Sequence, residues 1–336
     1  MNGLEISLSA VLVLVALALA FDFMNGFHDA ANSIATVVST RVLKPHQAVV
    51  WAAIFNVIAI VVFGTTVAAT IGKGTIDPSI VDEHVVFGAL VGAITWNVIT
   101  WYYGIPSSSS HALIGGLVGA ALIKAGPGSL IWAGVLKTVV FIFIAPVLGF
   151  LLGGLLMVAI SWACNRTPPH RVDKLFRRLQ LFSAAAYSLG HGGNDAQKTI
   201  GIIWMLLIAA GIDKTGGATP PVWVIVACYT AMGLGTMFGG WRIVKTMGQR
   251  ITKLNQASGF CANSGGAVTL FMATFLGIPV STTHTITGAI AGVGATRGPK
   301  NVRWGVARGI FWAWVLTIPA TAVISAIAWL VGQALF

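Results

Sequence analysis

Four short stretches gather side chains able to bind ions. Between Asp22 and Ser33 a long apolar run opens onto Asp22, Asn25, His28, Asp29 and Asn32. Between Ser188 and Thr199 the chain collects His191, Asn194, Asp195 and Lys198. Carboxylate and amide oxygens are hard ligands that suit Na+, and a carboxylate can instead carry a proton. The other two stretches, Gly104 to His111 (GIPSSSSH) and Gly277 to His284 (GIPVSTTH), set a proline, expected to stop the incoming helix, ahead of a run of hydroxyls that opens a glycine-rich helix. Free N–H groups and the positive dipole end at such a helix start suit an oxyanion.

Ser108, Ser109 and Ser110 on one side, with Ser281, Thr282 and Thr283 on the other, are therefore the candidate anion donors. Their neutrality matters, because a protein that must release an anion is poorly served by an arginine clamp. His111 and His284 lie about one turn into these helices, placed to orient the loop, donate to the anion, carry a proton or serve only the structure. Asp29 and Asp195 are the paired carboxylates, with Asn32 and Asn194 beside them, and a cation held there would offset their repulsion of an anion. The two stretches differ where Asn32 is matched by Lys198; an ammonium there replaces a metal-cation ligand and favours H+ over Na+. Asp22, near Asn25, reads as a gating or structural carboxylate. No HxxxH spacing or dense histidine cluster points to a transition-metal site, so no resident metal or cofactor is expected. A Ser/His/Asp hydrolase would need one nucleophile in an elbow, whereas both serine runs look equivalent, so the chain is not read as an enzyme.

The elements that position these residues must lie in a bilayer. The 336 residues are 56% hydrophobic and only 9% charged, with a mean hydropathy of +0.86, far from a soluble domain. The net charge of +11 is spread among short loops, which excludes a nucleic-acid face and fits positive-inside bias. Ten apolar runs are legible, over 6–27, 47–71, 84–103, 111–124, 130–162, 181–210, 221–240, 258–278, 281–296 and 304–335. Pro146 and Pro319 are expected to kink or divide the longest, so the crossings number ten to twelve. With the N-terminus outside, fifteen of the twenty Lys and Arg fall in cytoplasmic loops and three, Lys73, Lys124 and Lys214, outside. Glu5 and the lack of Lys or Arg before the first run argue against a cleaved signal peptide, leaving a multi-pass protein of the cell membrane.

FHDAANSI (27–34) aligns with GNDAQKTI (193–200), and GIPSSSSHALIGGLVGA (104–120) with GIPVSTTHTITGAIAGV (277–293). The expected architecture is an all-α polytopic protein of two repeats, 1–162 and 181–336, joined by a basic cytoplasmic linker at 163–180. About five spans per half makes the repeats inverted, with broken or re-entrant helices at the midplane, a design of secondary transporters more than of channels.

On NGFHDAAN, HGGNDAQK, IPSSSSH and IPVSTTH, in that order, the chain resembles the inorganic phosphate transporter (PiT) family. The resemblance spans nearly the whole chain. It implies symport of inorganic phosphate with H+ or Na+, the hydroxyls on phosphate and Asp29, Asn32, Asn194 and Asp195 at the cation sites. It also implies a homodimer, and in some relatives a metal-phosphate complex as cargo. His28 and Gln197-Lys198 depart from the family pattern and bear on the coupling ion.

Overall fold

The computed structural model describes residues 6–213 and 218–335; Glu5 and Lys214 lie outside them. Among the described residues the chain is helical without a named strand. In order the helices are α1 (Leu8–Ser39), α2 (Pro45–Ile58), α3 (Thr66–Gly74), α4 (Glu83–Tyr103), α5 (Ser109–Ala125), α6 (Trp132–Ala163), α7 (Pro169–Ala209), α8 (Val222–Phe238), α9 (Trp241–Lys245), α10 (Gln256–Phe275), α11 (Thr282–Ala295) and α12 (Trp304–Leu335).

Four of them, α1, α4, α6 and α12, are singly long and apolar enough to span a bilayer. Two bent pairs add to these: α2 with α3, turned by 80°, and α8 with the α9 segment, turned by 62°. The apolar run 47–71 is thus one broken element. The breaks do not fall at the polar motifs, because α1 and α7 run unbroken through Asp29 and Asp195. Breaks do occur at the two Gly-Ile-Pro segments, where α4 gives way to α5 and α10 to α11.

Three expectations change. α6 and α12 stay helical through Pro146 and Pro319, so neither is divided. Each proline costs one backbone bond, tolerable where neighbouring helices cover the freed carbonyl. The polar stretch 163–180 is mostly helix: α7 starts at Pro169, an N-terminal position where a missing N–H costs nothing, and runs on through Lys174, Arg177 and Arg178. The incoming helices α4 and α10 are ended by glycine rather than proline. Gly104 and Gly277 are left-handed (φ 66° and 65°), and the next N–H turns back to Thr100 O and to Ala273 O, each at 2.8 Å.

The packing repeats itself when α1–α6 are exchanged for α7–α12. α5 lies against α12 as α11 lies against α6, α4 against α12 as α10 against α6, and α1 against α8 as α7 against α2. One interval, 173 residues, separates Gly104 from Gly277, His111 from His284 and Pro146 from Pro319. Glycines bring the short helices backbone to backbone with the long ones. A Cβ at Gly119 would stand 2.1 Å from Ala322 O on α12, and one at Gly292 2.1 Å from Phe150 O on α6. Small-residue contacts of this kind replace the hydrophobic drive that lipid cannot supply.

Candidate functional site

Each hydroxyl segment starts its helix by a side-chain cap. Ser108 Oγ accepts from the His111 N–H and Ser281 Oγ from the His284 N–H, each at 3.2 Å. These two hydroxyls are committed to the helix ends, which leaves Ser109, Ser110, Thr282 and Thr283 to face the interior. All six are buried, and Ser109 Oγ has no partner. The two segments touch, Ser110 Oγ donating to the Val280 carbonyl at 3.3 Å.

The carboxylate motifs reach these segments from mid-helix positions on α1 and α7, and each motif crosses to the other half's hydroxyls. From α1, Asn32 Nδ2 donates to Thr283 Oγ1 (2.9 Å) and Thr282 Oγ1 (3.2 Å). From α7, Lys198 Nζ donates to Ser110 Oγ, to Asp195 Oδ1 and, at 2.8 Å, to Val280 O. Lys198 is 2% exposed, so it does not snorkel to the interface. The aligned pair Asn32 and Lys198 therefore do the same bridging with different charge. Asp195 Oδ2 also accepts from Thr282 Oγ1 at 3.0 Å, while Asp29 Oδ1 lies 3.5 Å from Thr283 Oγ1.

The other aligned pair ties each hydroxyl loop to its own half. His28 bridges Asp29 Oδ1 (2.7 Å) and Thr100 Oγ1 (3.1 Å), and Ser107 Oγ donates to that threonine at 2.8 Å. Asn194 donates to Thr274 Oγ1 (3.0 Å) and Ile278 O (3.1 Å), and its Oδ1 accepts from Val280 N at 3.2 Å. Asn194 thus ties the loop through both its amide nitrogen and its oxygen. Asn32 Oδ1 is buried and unpartnered and so remains a free ligand oxygen.

His191 completes the arrangement. Thr236 Oγ1 donates to Met232 O at 2.9 Å, so it accepts from Asn56 Nδ2, also 2.9 Å away. That fixes Asn56 Oδ1 toward His191 Nδ1 at 3.2 Å, and the ring must donate from Nδ1. A neutral His191 then turns the Nε2 lone pair toward Asp195 Oδ2, 3.2 Å away and not aligned as a hydrogen bond. Two acceptors at that distance call for a proton or a cation between them. Ligand atoms of Asp29, His191 and Asp195 all lie within 4.8 Å of one another, a donor set that fits a cation.

Asp22 stands earlier on α1, nearer its N-terminus, its Oδ1 accepting from Thr199 Oγ1 at 2.9 Å; its Oδ2 and Asn25 Oδ1 are buried without partners. His111 and His284 meet edge to face with ring centroids 4.8 Å apart, and His284 stacks on Trp314 at 3.8 Å. Their four ring nitrogens have no hydrogen-bond partner. The Trp314 indole donates to Pro106 O at 3.1 Å, so the histidine pair braces both hydroxyl loops. The six hydroxyls, Asp29, Asn32, Asp195 and Lys198 thus form one buried cluster with Asn194 at its edge, and Asp22 and Asn25 lie beside it.

Sequence reasoning left Tyr187, Asn56 and Thr236 out of the site and gave Gln197 no structural role. Gln197 accepts from the N–H groups of Val67 (2.9 Å) and Ala68 (3.3 Å), capping α3. Tyr187 Oη donates to Thr282 O at 2.8 Å. His191 had its motif as a signal, but Asn56 and Thr236, which orient it, carry none.

A buried polar cluster between the starts of two facing helices, inside an all-helical apolar shell, is the architecture of a membrane solute carrier. Comparison with known proteins gives the particular family. The model of the phosphate transporter family matches residues 25–325. A probable low-affinity inorganic phosphate transporter of Rhizobium meliloti (strain 1021) is 61% identical over 94% of both chains. One of Bacillus subtilis (strain 168), described in the same words, is 45% identical over 99% of this chain and all of its own. A solved structure, "The sodium-dependent phosphate transporter", superposes with a TM-score of 0.88 at 26% identity, covering 98% of this chain and all of that one. The chain belongs to the phosphate transporter family: it is a membrane transporter and not an enzyme.

Proposed function

We propose that this phosphate transporter imports inorganic phosphate by alternating access in symport with H+, Na+ being the alternative coupling ion. Phosphate would sit between the starts of α5 and α11 on Ser109, Ser110, Thr282 and Thr283, with Ser108 and Ser281 holding the helix ends. The halves 1–162 and 181–336 act as inverted repeats, and repeat-derived units, each pairing the short helix of one half with the long helix of the other, move against one another. Support for this comes from the packing that recurs when α1–α6 are exchanged for α7–α12. The orientation, with the N-terminus outside and basic loops in the cytoplasm, rests on charge bias. The homodimer rests on the family resemblance.

The observation that carries H+ coupling is Lys198. Its ammonium occupies the oxygens of Asp195 and Ser110 that a metal ion would otherwise take. Asp29, Asn32 and the His191–Asp195 contact are then left for the coupled charge. A second reading, a divalent metal-phosphate complex as cargo, is favoured by the Asp29, His191 and Asp195 donor set.

Labelled phosphate uptake into proteoliposomes tests this. Uphill accumulation driven by an imposed proton gradient is expected, and a dependence on Mg2+ or another divalent ion would select the metal complex. Asp29→Asn and Asp195→Asn are expected to abolish coupled uptake while the protein stays folded, Asp195→Asn with a lowered thermal midpoint because Lys198 loses its carboxylate. Downhill flux indifferent to either cation gradient would mean an anion channel and end the proposal.

A further inference from the structure

We propose that the basic cavity between residues 249–253 and 297–303 is a second anion site, taking a phosphate-bearing group: a phospholipid headgroup or a soluble phosphoanion. The cavity, of about 330 Å³, is lined by Lys253, Arg297, Lys300 and Arg303 with Gln249, Thr252 and Asn301, and no acidic residue contributes. Among the described residues none of the four cations has an ion-pair partner. Four like charges around one small volume repel one another, and an anion among them converts that repulsion into binding. The amide and hydroxyl groups add neutral donors suited to phosphate oxygens, and Lys and Arg are the side chains that bind such groups best.

The cavity is built rather than a chance gathering of loose side chains. Thr252 Oγ1 donates to Asn301 O at 2.9 Å, and Arg303 N to Ile251 O at 2.9 Å, so the two segments are stapled together. Arg297 donates to Lys253 O at 3.3 Å, and Asn301 Nδ2 to Arg297 O at 2.6 Å. α12 starts at Trp304, directly after Arg303, and adds the positive end of its dipole. The volume is at the lower end of the roughly 300–1,000 Å³ usual for ligand cavities, enough for a headgroup or a diphosphate. None of these residues belongs to the buried cluster. The π-helical turn Thr246–Arg250 that leads into the cavity is bonded to that cluster's loop, Thr246 Oγ1 donating to Gly104 O at 3.0 Å.

The test is native mass spectrometry of the full-length protein in detergent, titrated separately with phosphatidylglycerol and with inorganic pyrophosphate. Lys253→Gln/Arg303→Gln removes two cations with no side-chain hydrogen bond among those described. Lys174→Gln/Arg178→Gln removes the same charge from exposed positions on α7 and serves as control. The first pair is expected to weaken at least one probe by roughly tenfold or more, the control by less than about twofold. Lys253→Arg/Arg303→Lys, which keeps the charge, is expected to keep binding, separating lost recognition from lost fold. Loss confined to phosphatidylglycerol assigns a headgroup, and loss of pyrophosphate assigns a soluble anion. If the first pair binds both probes as the control does, the basic residues only orient the chain and the site does not exist.

Discussion

At the scale of single residues, the proposed choice of coupling ion turns on Lys198. A fully buried ammonium is tolerable only because Asp195, Ser110 and the Val280 carbonyl surround it, and removing one partner of such a pair typically costs about 3–5 kcal/mol. Lys198→Asn gives the second motif the residue that the first carries at Asn32. It is expected to lower the thermal midpoint in K+ buffer, to recover part of that loss in Na+, and to make phosphate uptake Na+-stimulated. The wild-type midpoint should not distinguish the two salts. Equal behaviour of the variant in both would remove Lys198 from the question of the coupling ion. The identity of these residues was legible in the chain, because charge at membrane depth is rare enough to stand out. What each one touches was not. Gln197 as the cap of α3 spans 130 positions and His191 held by Asn56 spans 135, and no local pattern encodes partners that far away.

At the scale of elements, the short helices are placed by absent side chains. Gly119→Leu and Gly292→Leu each force a branched side chain into a backbone carbonyl 2.1 Å from the new Cβ and are expected to cost about 3 kcal/mol, read as a fall in thermal midpoint in detergent. Gly305→Ala, with nothing within 4 Å of its Cβ, is the control and is expected to be neutral or slightly stabilising. Ten apolar runs were legible from hydropathy; the last, 304–335, matches α12, whereas α1 runs on past the end of the first, 6–27, through its polar motif to Ser39. The start of α7 was hidden by its charge: Arg171 to Gln180 is polar enough to read as a linker, yet its Lys, Leu, Arg and Gln are strong helix formers. The prolines misled for the opposite reason. Pro146 leaves the Ile142 carbonyl without its helical N–H, and close packing of α11 on α6 there, with Gly288 set against the Pro146 carbonyl, keeps the helix continuous.

For the whole molecule, orientation is the most direct claim to check. With Cys164 replaced by serine, the remaining Cys228 and Cys261 are buried. In that background Ser79→Cys is expected to react with a membrane-impermeant maleimide added to intact cells, and Lys174→Cys only after the membrane is opened. Both residues are exposed, at opposite ends of the proposed topology. The reverse pattern would invert the direction assigned to transport.

The glycine contacts between α5 and α12, and between α11 and α6, also bear on mechanics. Gly115 and Gly119, like Gly288 and Gly292, are one turn apart and set against carbonyls, so each surface is a toothed rack. Sliding along it would meet a clash until a full turn, about 5.4 Å, had passed. Each short helix is therefore expected to travel with its long partner as a single lever. The hydroxyl segment at its tip would be swung by that lever, its own shape unchanged.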